Sequence, residues 1–162
     1  MRSAALFCIA FACSTAAVGE DKLVKYPVQA ALGKGQSYRS KLDPQVKLYF
    51  ASHPTPGVAK KLLEADSGHK RTNAFNKPEQ EACDIAFISA AVSLQVYARR
   101  AGGNAVVNIT SYFKDERLES ADEYLCAAGF LMTAVGLRGS VVTLEPAAAP
   151  TDRPGASPSA AQ

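Results

Sequence analysis

Four cysteines and two histidines are the residues in this 162-residue chain best suited to redox, nucleophilic or metal chemistry. Cys8 and Cys13 fall in an apolar run at the start, while Cys83 and Cys126 stand 43 residues apart. No C-x-x-C pair occurs, so the spacing of a zinc ribbon or a dithiol redox motif is missing. His53 lies next to Pro54 and His69 next to Lys70, both in polar stretches. With Cys83 or nearby acids they offer imidazole ligands or a base, at a spacing that specifies neither. There is no G-x-S-x-G elbow to expose a nucleophilic serine. Gly33-Lys34-Gly35-Gln36-Ser37 contains the residue types of a phosphate loop. It lacks the preceding apolar strand and the glycine spacing that would turn backbone N–H groups onto phosphate, and reads as a turn. Asp115, Glu116, Glu119, Asp122 and Glu123 cluster near a predicted hairpin and read as a solvated edge rather than an acid/base pair. Asn108, Thr110 and Tyr112 alternate along a predicted strand. They are either the wet face of an antiparallel sheet or a polar recognition surface.

These residues need elements to position them, and the strongest is a helix. Asn76-Lys77-Pro78-Glu79 has the pattern of a capping box with proline in the first turn. From there to Ala101 good helix formers dominate. Ala82, Ile85, Ala86, Phe87, Ala90, Leu94 and Ala98 share a broad apolar face, and Asp84, Gln95, Arg99 and Arg100 mark a wetter one. Arg99-Arg100 suits the negative end of the dipole, and Gly102-Gly103 a left-handed stop. Asn104 to Phe113 then alternates as a strand with Ala105, Val107, Ile109 and Phe113 on its apolar side. Ala121 to Val135 reads as one further extended segment, with Tyr124, Cys126, Ala128, Phe130 and Met132 on a face. Gly136 to Gly139 reads as a break, and Ser140 to Leu144 as a last strand. Earlier in the chain, Tyr26 to Leu32 reads as a short helical turn and Val46 to Phe50 as a strand. Pro54 and Pro56 open a helical piece through Val58, Leu62 and Leu63, and residues 64–77 read as irregular. The fold class expected is α+β: one long helix packed on a small, mainly antiparallel sheet, a single domain over residues 20–145.

The two ends read as lying outside that domain. Met1-Arg2-Ser3, the apolar run Ala4 to Cys13 and the small residues up to Gly19 make a Sec-type signal peptide, cleaved after Ala17 or Gly19. The run is too short for a transmembrane span, and Ala10-Phe11-Ala12 is a poor approach to a lipid anchor at Cys13. Residues 146–162 hold Pro146, Pro150, Pro154 and Pro158 and no apolar side chain larger than alanine, the composition of a disordered tail. Removing residues 1–19 deletes Arg2 and no acid, leaving 17 basic against 15 acidic side chains. So even a balance gives no electrostatic footprint for nucleic acid. Export would also leave Cys83 and Cys126 as an even pair in an oxidising compartment, most simply a disulfide.

Gly102-Gly103-Asn104-Ala105-Val106-Val107-Asn108-Ile109, Val46-Lys47-Leu48-Tyr49-Phe50, Thr72-Asn73-Ala74-Phe75-Asn76-Lys77 and the Cys83/Cys126 pair together carry a resemblance. Over roughly residues 22–144 the chain resembles a family of small exported proteobacterial proteins commonly labelled "excinuclease ATPase subunit". The label implies a phosphate loop and zinc cysteines that this sequence does not contain, so no excinuclease or ATPase activity is expected and no catalytic residue carries over. More distantly, the helix–glycine–Asn-Ala-Val–strand unit is similar to one in the outer-membrane stress-sensing lipoprotein of the Rcs phosphorelay. It is also similar to one in small oligomeric proteins once guessed to bind heavy metals. The resemblance implies a disulfide-stabilised envelope module. The expectation is a periplasmic or secreted module, non-enzymatic, without a cofactor, that binds or senses an envelope protein or cell-envelope component. The alternative is a small envelope enzyme or metal-handling protein using His53 and His69.

Overall fold

A computed structural model describes residues 22–33, 37–51 and 53–145. The leader expected at residues 1–19, with Cys8, Cys13, Ala17 and Gly19, and the tail expected at residues 146–162 lie outside the described residues. The elements in order are β1 (Lys22–Pro27), α1 (Val28–Leu32), a 3-10 turn (Ser37–Lys41), β2 (Lys47–Phe50), β3 (Val58–Asn73), α2 (Glu79–Ala101), β4 (Ala105–Phe113), β5 (Glu116–Leu118), β6 (Glu123–Ala128) and β7 (Met132–Leu144). The architecture is α+β, with the 23-residue α2 laid across a mixed sheet of seven strands. All pairings are antiparallel except β2 with β4.

α2 forms where its periodicity predicts and for the reasons expected at its end: Gly102 takes the left-handed conformation, φ 77°, with Arg99 and Arg100 in the last turn. Its start differs. Pro78 is the N-cap and makes no side-chain cap bond. The Glu79 carboxylate instead accepts the Tyr26 hydroxyl at 2.7 Å, tying the helix to β1. Ala82, Ala86, Ala90, Ala91 and Ala98 are all buried, and such small side chains let the helix approach the sheet closely. Between them Phe87, Ile88 and Leu94 fill the core, each stabilising by roughly 2 kcal/mol through burial. Four rings run through that core from β2 to β1. Phe50 stacks on Phe87 at 5.7 Å, Phe87 on Tyr124 at 4.4 Å, and Tyr124 meets Tyr26 at 6.2 Å. By length and composition α2 also meets the requirement for crossing a bilayer, but most of it is buried within this fold.

The wetter helix face assigned to Asp84 and Gln95 is corrected: both are buried. Gln95 satisfies its amide by clamping the turn before β2, accepting from Asp43 N–H at 2.9 Å and donating to the carbonyls of Asp43 and Val46, each at 2.8 Å. Asp84 accepts the Tyr124 hydroxyl at 2.6 Å. The buried polar pair thus serves as a fastener, consistent with the rule that buried polar groups find partners.

The largest difference lies in residues 58–77. The helical piece expected from Val58 and the irregular stretch up to Asn73 are one 16-residue strand, β3, antiparallel to β7 along its whole length, and only residues 74–77 are irregular as expected. Three register shifts interrupt the pairing, and only Ala65 and Ser67 are fully buried, so the alternation that marks a strand never builds up. The single segment expected over 121–135 is two strands joined at 129–131. Tyr124, Cys126 and Ala128 do share the core face, but Phe130 and Met132 are exposed at the turn. The break expected at Gly136–Gly139 is also absent. β7 runs straight through, and the glycines admit neighbours: a Cβ on Gly136 would stand 2.9 Å from the Tyr112 ring, and one on Gly139 2.8 Å from Val106. Tyr26 and Pro27 belong to β1, so the helical turn begins only at Val28.

One edge of β7 meets β6 at Ala134 and Thr133 and β4 from Gly136 onward, so the sheet forks there. The buried Ser111 hydroxyl accepts the Leu125 N–H at 2.8 Å across the fork. In the same way the Ser67 hydroxyl accepts the Leu137 N–H at 2.9 Å where β3 bulges.

Candidate functional site

The sheet face away from α2 carries the densest set of polar side chains, and strand register places them. Three cross-strand rows run from β3 over β7 to β4: Glu64, Ser140 and Val107; Asp66, Arg138 and Thr110; His69, Gly136 and Tyr112. Opposed residues of neighbouring strands come within side-chain contact. The rows border a groove of about 530 Å³ lined by Lys61, Glu64, Asp66, Thr110, Arg117 and Arg138, together with Asn108 and Ser140.

Asn108 creates the opening. It adopts a left-handed conformation, φ 52°, within the register shift between Val107 and Thr110. The extra residue of this bulge reverses the side-chain alternation. Val106 and Ile109 both enter the helix-side core, while Ala105 and Val107 pack on Val142 and Leu144 on the other face. The apolar side expected from Ala105, Val107 and Ile109 is therefore two sides.

Of the expected recognition surface, Asn108 and Thr110 line the groove together. Tyr112 differs. It is buried, its hydroxyl donates to Asp66 Oδ1 at 2.5 Å, and its ring lies 4.0 Å under the Arg138 guanidinium. It is a wall held in place rather than a free contact. Arg138 Nε donates to Asp66 Oδ2 at 2.8 Å, and Gly68 N–H to Oδ1 at 2.8 Å. Burial opposes ionisation of Asp66, yet the bonds from Tyr112, Gly68 and Arg138 together hold its carboxyl below the ordinary range. Burial, with the Asp66 bond, pushes the Tyr112 phenol up. Lys61 is paired with Glu64, and the Ser140 hydroxyl bonds both Glu64 oxygens, at 3.0 and 2.9 Å. The Lys61 bond is the main reason the Glu64 carboxyl also sits low. Two carboxylates that both stay ionised are unsuited to donate a proton near neutral pH. Arg117 pairs with Glu119 at 3.1 Å, so every charge at the groove has a counter-charge. Such a surface is suited to hold a polar ligand of little net charge through hydrogen bonds.

The remaining candidates are placed as follows. Cys83 and Cys126 are joined in a disulfide, both half-cystines fully buried, with Cα atoms 6.0 Å apart. Beside it, burial pushes the Asp84 carboxyl up against the opposing Tyr124 bond, and Glu81 adds to the rise. His53 is exposed in the β2–β3 connection. His69 is on β3, its ring 4.9 Å from that of Tyr112 and 5.0 Å from that of Phe113. Among the described residues no group of three or more His, Cys, Asp and Glu could hold a metal ion. Asp115, Glu116, Glu119, Asp122 and Glu123 are all exposed around β5 and the start of β6. Gly33 caps α1, and residues 34–36 of the glycine-rich stretch lie outside the described residues.

Sequence reasoning missed Lys61, Glu64, Asp66, Arg117 and Arg138. The available signal was the Glu64/Asp66 alternation, which places both carboxylates on one face only once the segment is read as a strand. No protein-family model and no curated protein matches the chain.

Proposed function

We propose that this protein is an exported, disulfide-stapled module of the cell envelope that binds a polar protein or envelope component, without catalysing a reaction on it. The observation that carries the reading is the groove opened by the Asn108 bulge, where Asn108 and Thr110 stand among mutually neutralised charges. Two further features support it. A buried disulfide in so small a domain suits an oxidising compartment. The sequence of residues 1–19 has the charge and apolar pattern of a Sec-type leader. The groove's carboxylates are both held in their ionised form, and its arginines and lysine are engaged with them or with Glu119, which favours binding over proton transfer.

The test is photo-cross-linking in intact cells combined with fractionation. A photoreactive residue in place of exposed Arg117, at the groove, should give a discrete adduct in the periplasmic or envelope fraction. The same residue in place of Tyr97, exposed on α2, should not. Recovery of the protein in the cytosol with reduced Cys83 and Cys126 would overturn the export reading. Equal labelling from both positions would overturn the groove.

A further inference from the structure

One end of the molecule exposes apolar side chains that no part of the described fold covers. At the β6–β7 turn Phe130 is 83% exposed, Leu131 59% and Met132 45%, and Phe75 from the β3–α2 connection is 52% exposed beside them. The Phe75 and Phe130 rings meet edge to face at 6.3 Å. Backbone bonds fix this arrangement: Ala74 N–H donates to the Leu131 carbonyl at 2.8 Å, and Gly129 N–H to the Met132 carbonyl at 3.0 Å. The tip is thus held outward by its hydrogen bonds, and contiguous exposed apolar groups of this kind mark an interaction site.

The surroundings indicate what the tip meets. Lys22 pairs across β1–β6 with Ala128, next to the turn. Lys77 donates to the Asn73 carbonyl at 3.1 Å, Asn73 is the cross-strand partner of Met132, and Arg71 lies two residues before it. Among the described residues the acid at this end is Glu79, which lines a recess with Phe75, Lys77 and Phe130 and accepts the Tyr26 hydroxyl. Asp122 and Glu123 stand at the far end of β6, about 17 Å away. Among the described residues Lys22, Arg71 and Lys77 thus outnumber the one carboxylate beside the wedge, and an apolar wedge with a net positive margin matches an anionic bilayer surface: rings and aliphatic chains enter the acyl boundary while Lys and Arg reach the phosphates. Four side chains fall well short of the roughly 20–30 residues per side that a stable protein interface uses, which argues against a second copy of the chain. We infer that Phe75, Phe130, Leu131 and Met132 form a membrane-insertion tip that docks the domain on anionic phospholipid.

The chain has no tryptophan, so Phe130→Trp introduces a single reporter. Vesicles of phosphatidylglycerol should shift its emission to the blue, and lipids brominated along the acyl chain should quench it, while Tyr97→Trp on α2 should change in neither respect. Adding Leu131→Asp to the reporter should weaken partitioning by about tenfold or more, with an unchanged melting curve because the residue is exposed. Phosphatidylcholine vesicles should bind about tenfold or more weakly. Because the reporter reads depth at the tip, vesicle binding that leaves it in water would overturn the inference. Equal partitioning to both lipids would also overturn it. So would a blue shift that rises with protein concentration in the absence of vesicles, which would identify the tip as a self-association surface.

Discussion

Replacing both half-cystines, Cys83→Ala with Cys126→Ala, tests the central staple. The bridge spans 43 residues, a loop containing most of α2 and all of β4 and β5. On the chain-entropy account, closing a loop of that length in the unfolded chain removes freedom equivalent to about 4 kcal/mol. For a domain of roughly this size the loss lowers Tm by about 15 °C. Alanine is preferable to serine because both positions are fully buried, where an unpartnered hydroxyl would add its own cost. The assay is thermal melting of the oxidised protein, the double variant, and the wild type reduced while unfolded. The last two should coincide to within a few degrees. Urea titration adds an independent check, because the unlinked chain is more expanded when unfolded and its m-value should rise. A Tm difference below about 3 °C would refute the reasoning, as would peptide mapping that finds both thiols free under oxidising conditions.

Three other perturbations have defined outcomes. Thr133 Oγ1 is buried with no hydrogen-bond partner among the described residues, so Thr133→Val should raise stability by about 1 kcal/mol in urea melts; an unchanged value means the hydroxyl is satisfied. Asn108 sits at positive φ, so Asn108→Ala should cost about 1 kcal/mol while Asn108→Gly is neutral or slightly stabilising, and equal losses would remove strain as the reason asparagine suits the bulge. Burial raises the Asp84 carboxyl above its ordinary 3.8, so its native site binds protons more readily than the unfolded chain does. Its contribution is fully present below pH 3.8 and is lost as pH rises through the folded value; Asp84→Asn should therefore raise Tm at neutral pH and lose that advantage in acid. A pH-independent difference in Tm would contradict this.

How much of the fold was legible follows from where periodicity survives. α2 is buried over most of its circumference, and its stop is local chemistry at Gly102, so its length and end were readable. β4 was readable as a strand but not in its facing, because a bulge at Asn108 leaves no trace in an alternation count. β3 was not readable at all. Val58, Leu62 and Leu63 imitate a helical stripe, while the strand's order comes chiefly from pairing with β7, whose partner residues lie 59 to 86 positions away (132 − 73 and 144 − 58). The disulfide could be inferred because only two cysteines remain after a leader is set aside. The groove could not, since Asp66, Tyr112 and Arg138 meet only through a register that no single segment contains.

That same β3 has a bearing on solubility. Among the described residues it pairs only with β7, leaving a 16-residue row of backbone donors and acceptors at the margin of the sheet. A flat border of that length would template the stacking of further chains into fibrils, for which about six uninterrupted residues suffice. Lys60, Lys61, Glu64, Asp66, Lys70 and Arg71 punctuate it, and its three irregularities leave no flat run of that kind. The irregular strand that hides from periodicity therefore also keeps neighbouring molecules from joining end on end in a crowded compartment.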